Sequence, residues 1–102
     1  MEIVSDIPEQ QATAVVINWA RAVQAGQPGY RFWVDPNSAD KMFAVRSCKV
    51  LSAHRLETDP RYVDVSVRVE SSNRAGMPIT ADWTFFMFKT PQGWKINLIV
   101  EH

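Results

Sequence analysis

Residues 62–70, YVDVSVRVE, alternate without a break: Val63, Val65, Val67 and Val69 share one parity, and Asp64, Ser66, Arg68 and Glu70 share the other. Successive side chains of a strand point to opposite faces of its sheet, so this segment is a strand with one dry face and one wet face. Something apolar must cover the valines, and the only stretch with helical periodicity lies upstream. Ala12, Val15, Val16, Trp19, Ala20 and Val23 recur at helical spacing. This predicts an amphipathic helix over about residues 7–25. Asp6 and Glu9 stand at capping-box spacing, Pro8 falls in the first turn, Gly26 suits a left-handed C-terminus, and Pro28 discourages continuation.

Period-two patterns continue after the helix. Residues 46–57, 62–72, 78–89 and 94–101 read as strands separated by TDPR, NRAG and TPQG. The first of them, within VRSCKVLSAHRLE, alternates poorly. Between helix and strands, Asp35-Pro36-Asn37-Ser38 reads as a turn and SADKMF as one helical turn. A helix followed by an antiparallel meander is an α+β pattern, with the N-terminal helix packed across a four-stranded antiparallel sheet. The chain of 102 residues makes one domain, long enough for a single core without staples.

Turn chemistry sets the register. A type I turn over NRAG, with Gly76 left-handed as a bulge, pairs Asn73 with Met77, Val67 with Trp83, Val65 with Phe85 and Val69 with Ala81. The alternative two-residue register would set Val67 against Asp82, which a buried face resists. The TPQG turn then pairs Met87 with Ile96, Phe85 with Leu98 and Trp83 with Val100. On these parities Asp64 and Asp82 point away from the helix.

The segment ADWTFFMF, residues 81–88, is apolar on both parities. Trp83, Phe85 and Met87 join the valine face. Thr84, Phe86 and Phe88 fall on the other, with Asn97 and Ile99 expected beside them. An apolar patch on a face with no second helix marks an interface, and a symmetric homodimer is the simplest cover. The alternative cover is the GYRFWVDPNSADKMF segment of the same chain.

Charge excludes more than it suggests. Lys+Arg and Asp+Glu are 11 each, so no net field steers the chain toward phosphate backbones or anionic lipid. Arg46, Lys49, Arg55, Arg61 and Arg68 are offset by Glu57, Asp59, Asp64 and Glu70, and no aromatic residues interleave with them for base stacking. No partner nucleic acid or membrane is expected. Nothing approaches the roughly 20 apolar residues of a membrane span, and MEIVSDIPEQ has neither basic leader nor apolar core, which predicts a cytoplasmic location. The single Cys48 cannot form an internal disulfide.

Catalytic chemistry has few candidates. If Leu56 shares the valine face, Cys48, Val50, Ser52 and His54 share it too, which would set polar groups inside an apolar cavity. His54 could then act as a general base near neutral pH, or it could sit at the sheet edge bonded to backbone or water. Cys48 and His54 lie about 20 Å apart along a strand and cannot form a nucleophilic pair. Ser52 and His54 are closer, but no acid is placed to orient the histidine. One cysteine and one internal histidine do not make a metal site, no glycine-rich phosphate loop is present, and no cofactor is expected. Tyr30, Phe32 and Trp33 could line a small apolar site or plug it. His102 is given no role.

The last hairpin, FFMFKTPQGWKINLIVEH with Gly93-Trp94-Lys95-Ile96, resembles that of the nuclear-transport-factor-two-like superfamily of cystatin-like α+β folds, which includes SnoaL-like and ketosteroid-isomerase-like members. The order of helix and strands resembles it along nearly the whole chain. The resemblance implies a curved, cone-like sheet around the helix with a pocket at its open end, and frequent dimers through the outer face. This chain lacks the extra helices that the family places before the sheet, a gap that falls in residues 27–45. The Gln-x-Val-x-Gly loop of cystatin inhibitors is missing, since the first hairpin carries ETDPRY. The expected ligand pocket comprises Trp19, Tyr30, Trp33, Ser52, His54, Trp83 and Phe85. The expected dimer interface comprises Thr84, Phe86, Phe88, Asn97 and Ile99. The expected role is non-catalytic, either association or binding of a small apolar ligand. An enzyme of SnoaL or isomerase type, with His54 as base and Tyr30 as polar partner, is the alternative. A subunit that binds a different protein through the outer face is a third reading.

Overall fold

The computed structural model describes residues 7–27, 29–35, 45–72 and 75–102. Helix α1 spans Pro8–Gln24 and buries Ala12, Val16, Trp19, Ala20 and Ala22. It begins one residue later than the Asp6–Glu9 capping box requires. Its N-cap is Ile7, which makes no side-chain cap, and Asp6 lies outside the described residues. The Glu9 carboxylate is engaged elsewhere, by Arg55. At the other end Gly26 takes φ +73°, its N–H bonds the Val23 carbonyl, and the Gln27 N–H bonds the Ala22 carbonyl. These two bonds satisfy carbonyls that the helix would otherwise leave open, and a left-handed glycine closes them without strain.

A single 3-10 turn, Tyr30–Phe32, follows, and the chain then runs beside the sheet edge. Trp33 bridges Ile96 in parallel, and the Val34 N–H bonds the Ile96 carbonyl at 2.8 Å. The expected turn after Asp35 and the helical turn in SADKMF fall largely on residues 36–44, which lie outside the described residues, as do Pro28 and Asn73.

Four strands complete the fold: β1 Val45–Arg55, β2 Tyr62–Ser72, β3 Pro78–Thr90 and β4 Gly93–Glu101. They form one antiparallel sheet in the order β1-β2-β3-β4, curved and not closed into a barrel, with α1 packed on one face. The chain is therefore α+β, as its pattern predicts. The β2–β3 register is the expected one: Val67 opposes Trp83, Val65 opposes Phe85 and Val69 opposes Ala81, with Gly76 at φ +78° in the turn.

The β3–β4 register and the faces of β1 differ from expectation, and bulges are the reason. In β4 the pairing steps from Met87–Ile96 to Phe86–Leu98, which leaves Asn97 as the extra residue. Phe85 therefore opposes Ile99 rather than Leu98, and Trp83 opposes Glu101 rather than Val100. Ile99 turns inward against the core while Leu98 turns outward at 52% exposure, reversing their expected faces. In β1 the pairing slips twice, between Val45 and Ser47 and between Val50 and Ser52. Cys48 and Val50 oppose Val69 and Val67, which places them on the valine face as expected. Beyond the second slip, Ala53 and Arg55 take the valine face, and Ser52 and His54 take the opposite one. A one-residue bulge inverts every side chain after it. Leu56 leaves the strand and is exposed.

The core lies between α1 and the concave face. Ala12, Val16, Trp19 and Ala20 meet Val63, Val65, Val67, Val69, Trp83, Phe85, Met87, Trp94 and Ile96 in one cluster, against which Phe32 and Trp33 pack half-buried. Trp19 and Phe85 meet edge to face at 5.2 Å between ring centres. Gly29 lets the loop pass close over Trp19, since a Cβ there would stand 3.1 Å from its indole nitrogen.

Candidate functional site

The expected ligand-pocket residues divide into three places. Trp19, Trp83 and Phe85 are buried in the core cluster, and Trp33 packs against it. Tyr30 is 54% exposed on the 3-10 turn. Ser52 and His54 lie on the far side of the sheet, opposite Ser66 and Asp64. Placing Ser52 and His54 in the interior is thus corrected: the Val50/Ser52 slip turns them out, and His54 is exposed. A histidine in that position cannot serve as general base for a ligand held inside the concave face.

The voids beside α1 are shallow. One groove of about 300 Å³ is lined by Glu9, Gln10, Thr13, Ala14, Ile17 and Ala53. A second, about 340 Å³, is lined by Ile17, Ala20, Arg21, Gln24, Cys48 and Val50. Both open along the seam between α1 and β1, and neither is lined by any of the expected pocket residues. Burial pushes the Cys48 thiol above its ordinary pKa, which disfavours the thiolate needed for nucleophilic chemistry. Among the described residues no group of three or more His, Cys, Asp or Glu side chains is placed to hold a metal ion.

The outer face of the sheet is the more distinctive surface. Its rows follow from the register: Tyr62–Phe88–Lys95, then Asp64–Phe86–Leu98, then Ser66–Thr84–Val100. Tyr62, Phe88, Phe86, Leu98 and Val100 form an apolar stripe running diagonally from β2 to β4. The Tyr62 and Phe88 rings lie 4.9 Å apart. Arg61 sits 6.0 Å from the Phe88 ring centre, and Asp59 fixes its guanidinium through contacts of 3.0 and 2.7 Å. That guanidinium holds the Asp59 carboxyl below its ordinary range.

Away from the stripe the face is polar. Arg68 and Asp82 pair across β2 and β3 at 2.9 Å, and the pairing lowers the Asp82 pKa. Thr84 Oγ1 and the His102 imidazole share a 2.7 Å hydrogen bond. Of the expected interface residues, Thr84, Phe86 and Phe88 lie on this face, Asn97 is the bulge residue and Ile99 faces the core. Sequence reasoning missed Tyr62, Leu98 and Val100. Tyr62 was within reach, because it shares the parity of Asp64 and Ser66. Leu98 and Val100 were not, because the bulge that turns them out carries no glycine or proline to announce it.

No described helix is long and apolar enough to cross a membrane. No family model matches the sequence, and no curated protein or solved structure shows significant similarity to it.

Proposed function

We propose that the chain is a non-catalytic association domain that pairs with a second copy through the outer face of its sheet. The observation that carries this reading is the stripe of half-buried Tyr62, Phe86, Phe88 and Val100 with exposed Leu98, on the face that α1 leaves uncovered. Apolar groups in contiguous rows lose free energy when a partner removes them from water, by roughly 25 cal/mol per Å². The interior supports association over ligand binding. Trp19, Trp83, Phe85, Met87 and Ile96 pack together between helix and sheet, and the grooves that remain open lie along the α1–β1 seam. Kinship with the nuclear-transport-factor-two-like superfamily belongs to the same proposal. It rests on the Gly93-Trp94-Lys95-Ile96 hairpin and on one helix lying across a curved antiparallel sheet.

Sedimentation velocity and native mass spectrometry on the full chain test the reading. A dimer is expected, and Phe86→Lys should convert it to a monomer with unchanged far-ultraviolet circular dichroism. A monomer at every concentration would overturn it and leave the outer face to a different protein. A dimer that carries a bound small molecule would return the interior to the role of a ligand site.

A further inference from the structure

Each side of the stripe carries, next to it, one charged residue, and the two are of opposite sign. On the β2 flank, in the Phe86 row, stands Asp64; on the β4 flank, in the Phe88 row, stands Lys95. Neither is paired with an opposite charge among the described residues. The ion pairs of the described residues are Glu9–Arg55, Asp59–Arg61 and Asp82–Arg68, and Asp64 takes part in none of them. Lys95 donates to the Arg31 backbone carbonyl and has no carboxylate partner among the described residues.

Two copies that meet face to face about a two-fold axis have that axis in the plane of contact. If the axis runs along the stripe, each stripe falls on its counterpart and the flanks exchange, so that the β4 flank of one copy covers the β2 flank of the other. If the axis runs across the stripe, each flank meets its own kind, setting Lys95 beside Lys95 and Asp64 beside Asp64. Like charges brought together at a desolvated rim disfavour the second arrangement. We propose that the domain pairs with its own copy about a two-fold axis running along the Tyr62–Phe88–Phe86–Leu98–Val100 stripe, Lys95 of each copy facing Asp64 of the other. This rests on the homodimer reading above and adds the orientation of the pair. The symmetry makes the contact twice, so a change at either residue counts doubly.

Charge reversal on the full chain tests the orientation, with the dimerisation constant read by sedimentation velocity over a concentration series. Lys95→Glu and Asp64→Lys should each weaken dimerisation on the order of ten-fold or more, since each replaces two attractions per dimer by two repulsions. The double variant should recover most of the loss, which a folding defect in either single variant could not produce. Raising the salt concentration should narrow the differences among the four proteins. A dimer that ignores both reversals, or a double variant no tighter than the singles, would overturn the orientation while leaving the homodimer in place. A wild-type chain that stays monomeric would overturn the homodimer reading and the orientation with it.

Discussion

Arg55, at the last position of β1, closes a two-point ion pair on Glu9 in the first turn of α1, with contacts of 2.6 and 3.3 Å. The residues are 46 positions apart, and the pair exists because the second slip in β1 turns Arg55 to the helix side. The same slip turns His54 away. One extra residue in a strand thus fastens the helix to the sheet edge and removes the catalytic candidate from the interior. Arg55 is exposed and Glu9 only half-buried, so the contact contributes to orientation more than to stability.

Arg55 holds the Glu9 carboxyl below its ordinary pKa, through the hydrogen bond first and the direct charge second. Arg61 and Arg68 act likewise on Asp59 and Asp82. A carboxylate whose folded pKa is depressed contributes stability that is present above its unfolded pKa and lost as pH falls through the folded one. The chain should therefore lose thermal stability from about pH 4 downward, the unfolded range of these groups. Arg55→Gln should be slightly less stable than the parent at neutral pH, and the gap should close in acid. Melting temperatures at neutral pH and near pH 2.5 check this. A gap that persists in acid would mean that Arg55 acts through packing of its stem.

Much of the fold was legible because each signal was redundant. The valines of β2 alternate strictly, and Gly76 suits one turn type, so the β2–β3 register had two independent supports. The helix announced itself by periodicity and by Gly26. The edge strands offered no such redundancy. In β4, Leu98 and Ile99 are both apolar, so either could face the core, and only the unpaired Asn97 decides between them. In β1, Ser52, Ala53, His54 and Arg55 suit either face. Ala53 goes inward beside α1, where it lines the groove with Thr13 and Ile17, and Arg55 finds Glu9. The outer patch was legible at Phe86 and Phe88, which no bulge precedes within β3. It became illegible on β4, where parity depends on the bulge.

The Trp94 indole N–H donates to the Gln11 amide oxygen at 3.0 Å, tying β4 to the start of α1. Trp94 is buried, so removing the acceptor leaves its donor facing apolar surroundings. Gln11→Leu keeps the side-chain volume and should cost about 1–3 kcal/mol, the penalty for a buried group left unsatisfied. Urea unfolding followed by circular dichroism measures this. An unchanged midpoint would mean that water reaches the indole nitrogen.

Cys48 lies half-buried in the α1–β1 seam, with its pKa raised by burial. The thiolate is the species that reacts, so modification by an aromatic disulfide reagent at neutral pH should be several-fold slower than in urea. The rate should climb with pH beyond the range of an exposed thiol. Equal rates in the folded and unfolded chain would show that the seam opens readily and that the helix is loosely held along this edge.

The β4 bulge makes a sharp pair of predictions, because it reverses two adjacent residues of similar size. Ile99 opposes Phe85 and packs against the core, whereas Leu98 opposes Phe86 and is 52% exposed. Truncating a partly buried aliphatic side chain loses its transfer free energy and leaves a gap, so Ile99→Ala should cost about 2 kcal/mol. Leu98→Ala removes a side chain already in water in the monomer, and should stay within about 0.5 kcal/mol. The order reverses in the association measurement, where Leu98→Ala should weaken the dimer and Ile99→Ala should not. Urea midpoints under dilute, monomeric conditions give the first comparison, and sedimentation of folded protein gives the second. If the strand ran without its bulge, Leu98 would be the costly truncation for folding and Ile99 the costly one for pairing.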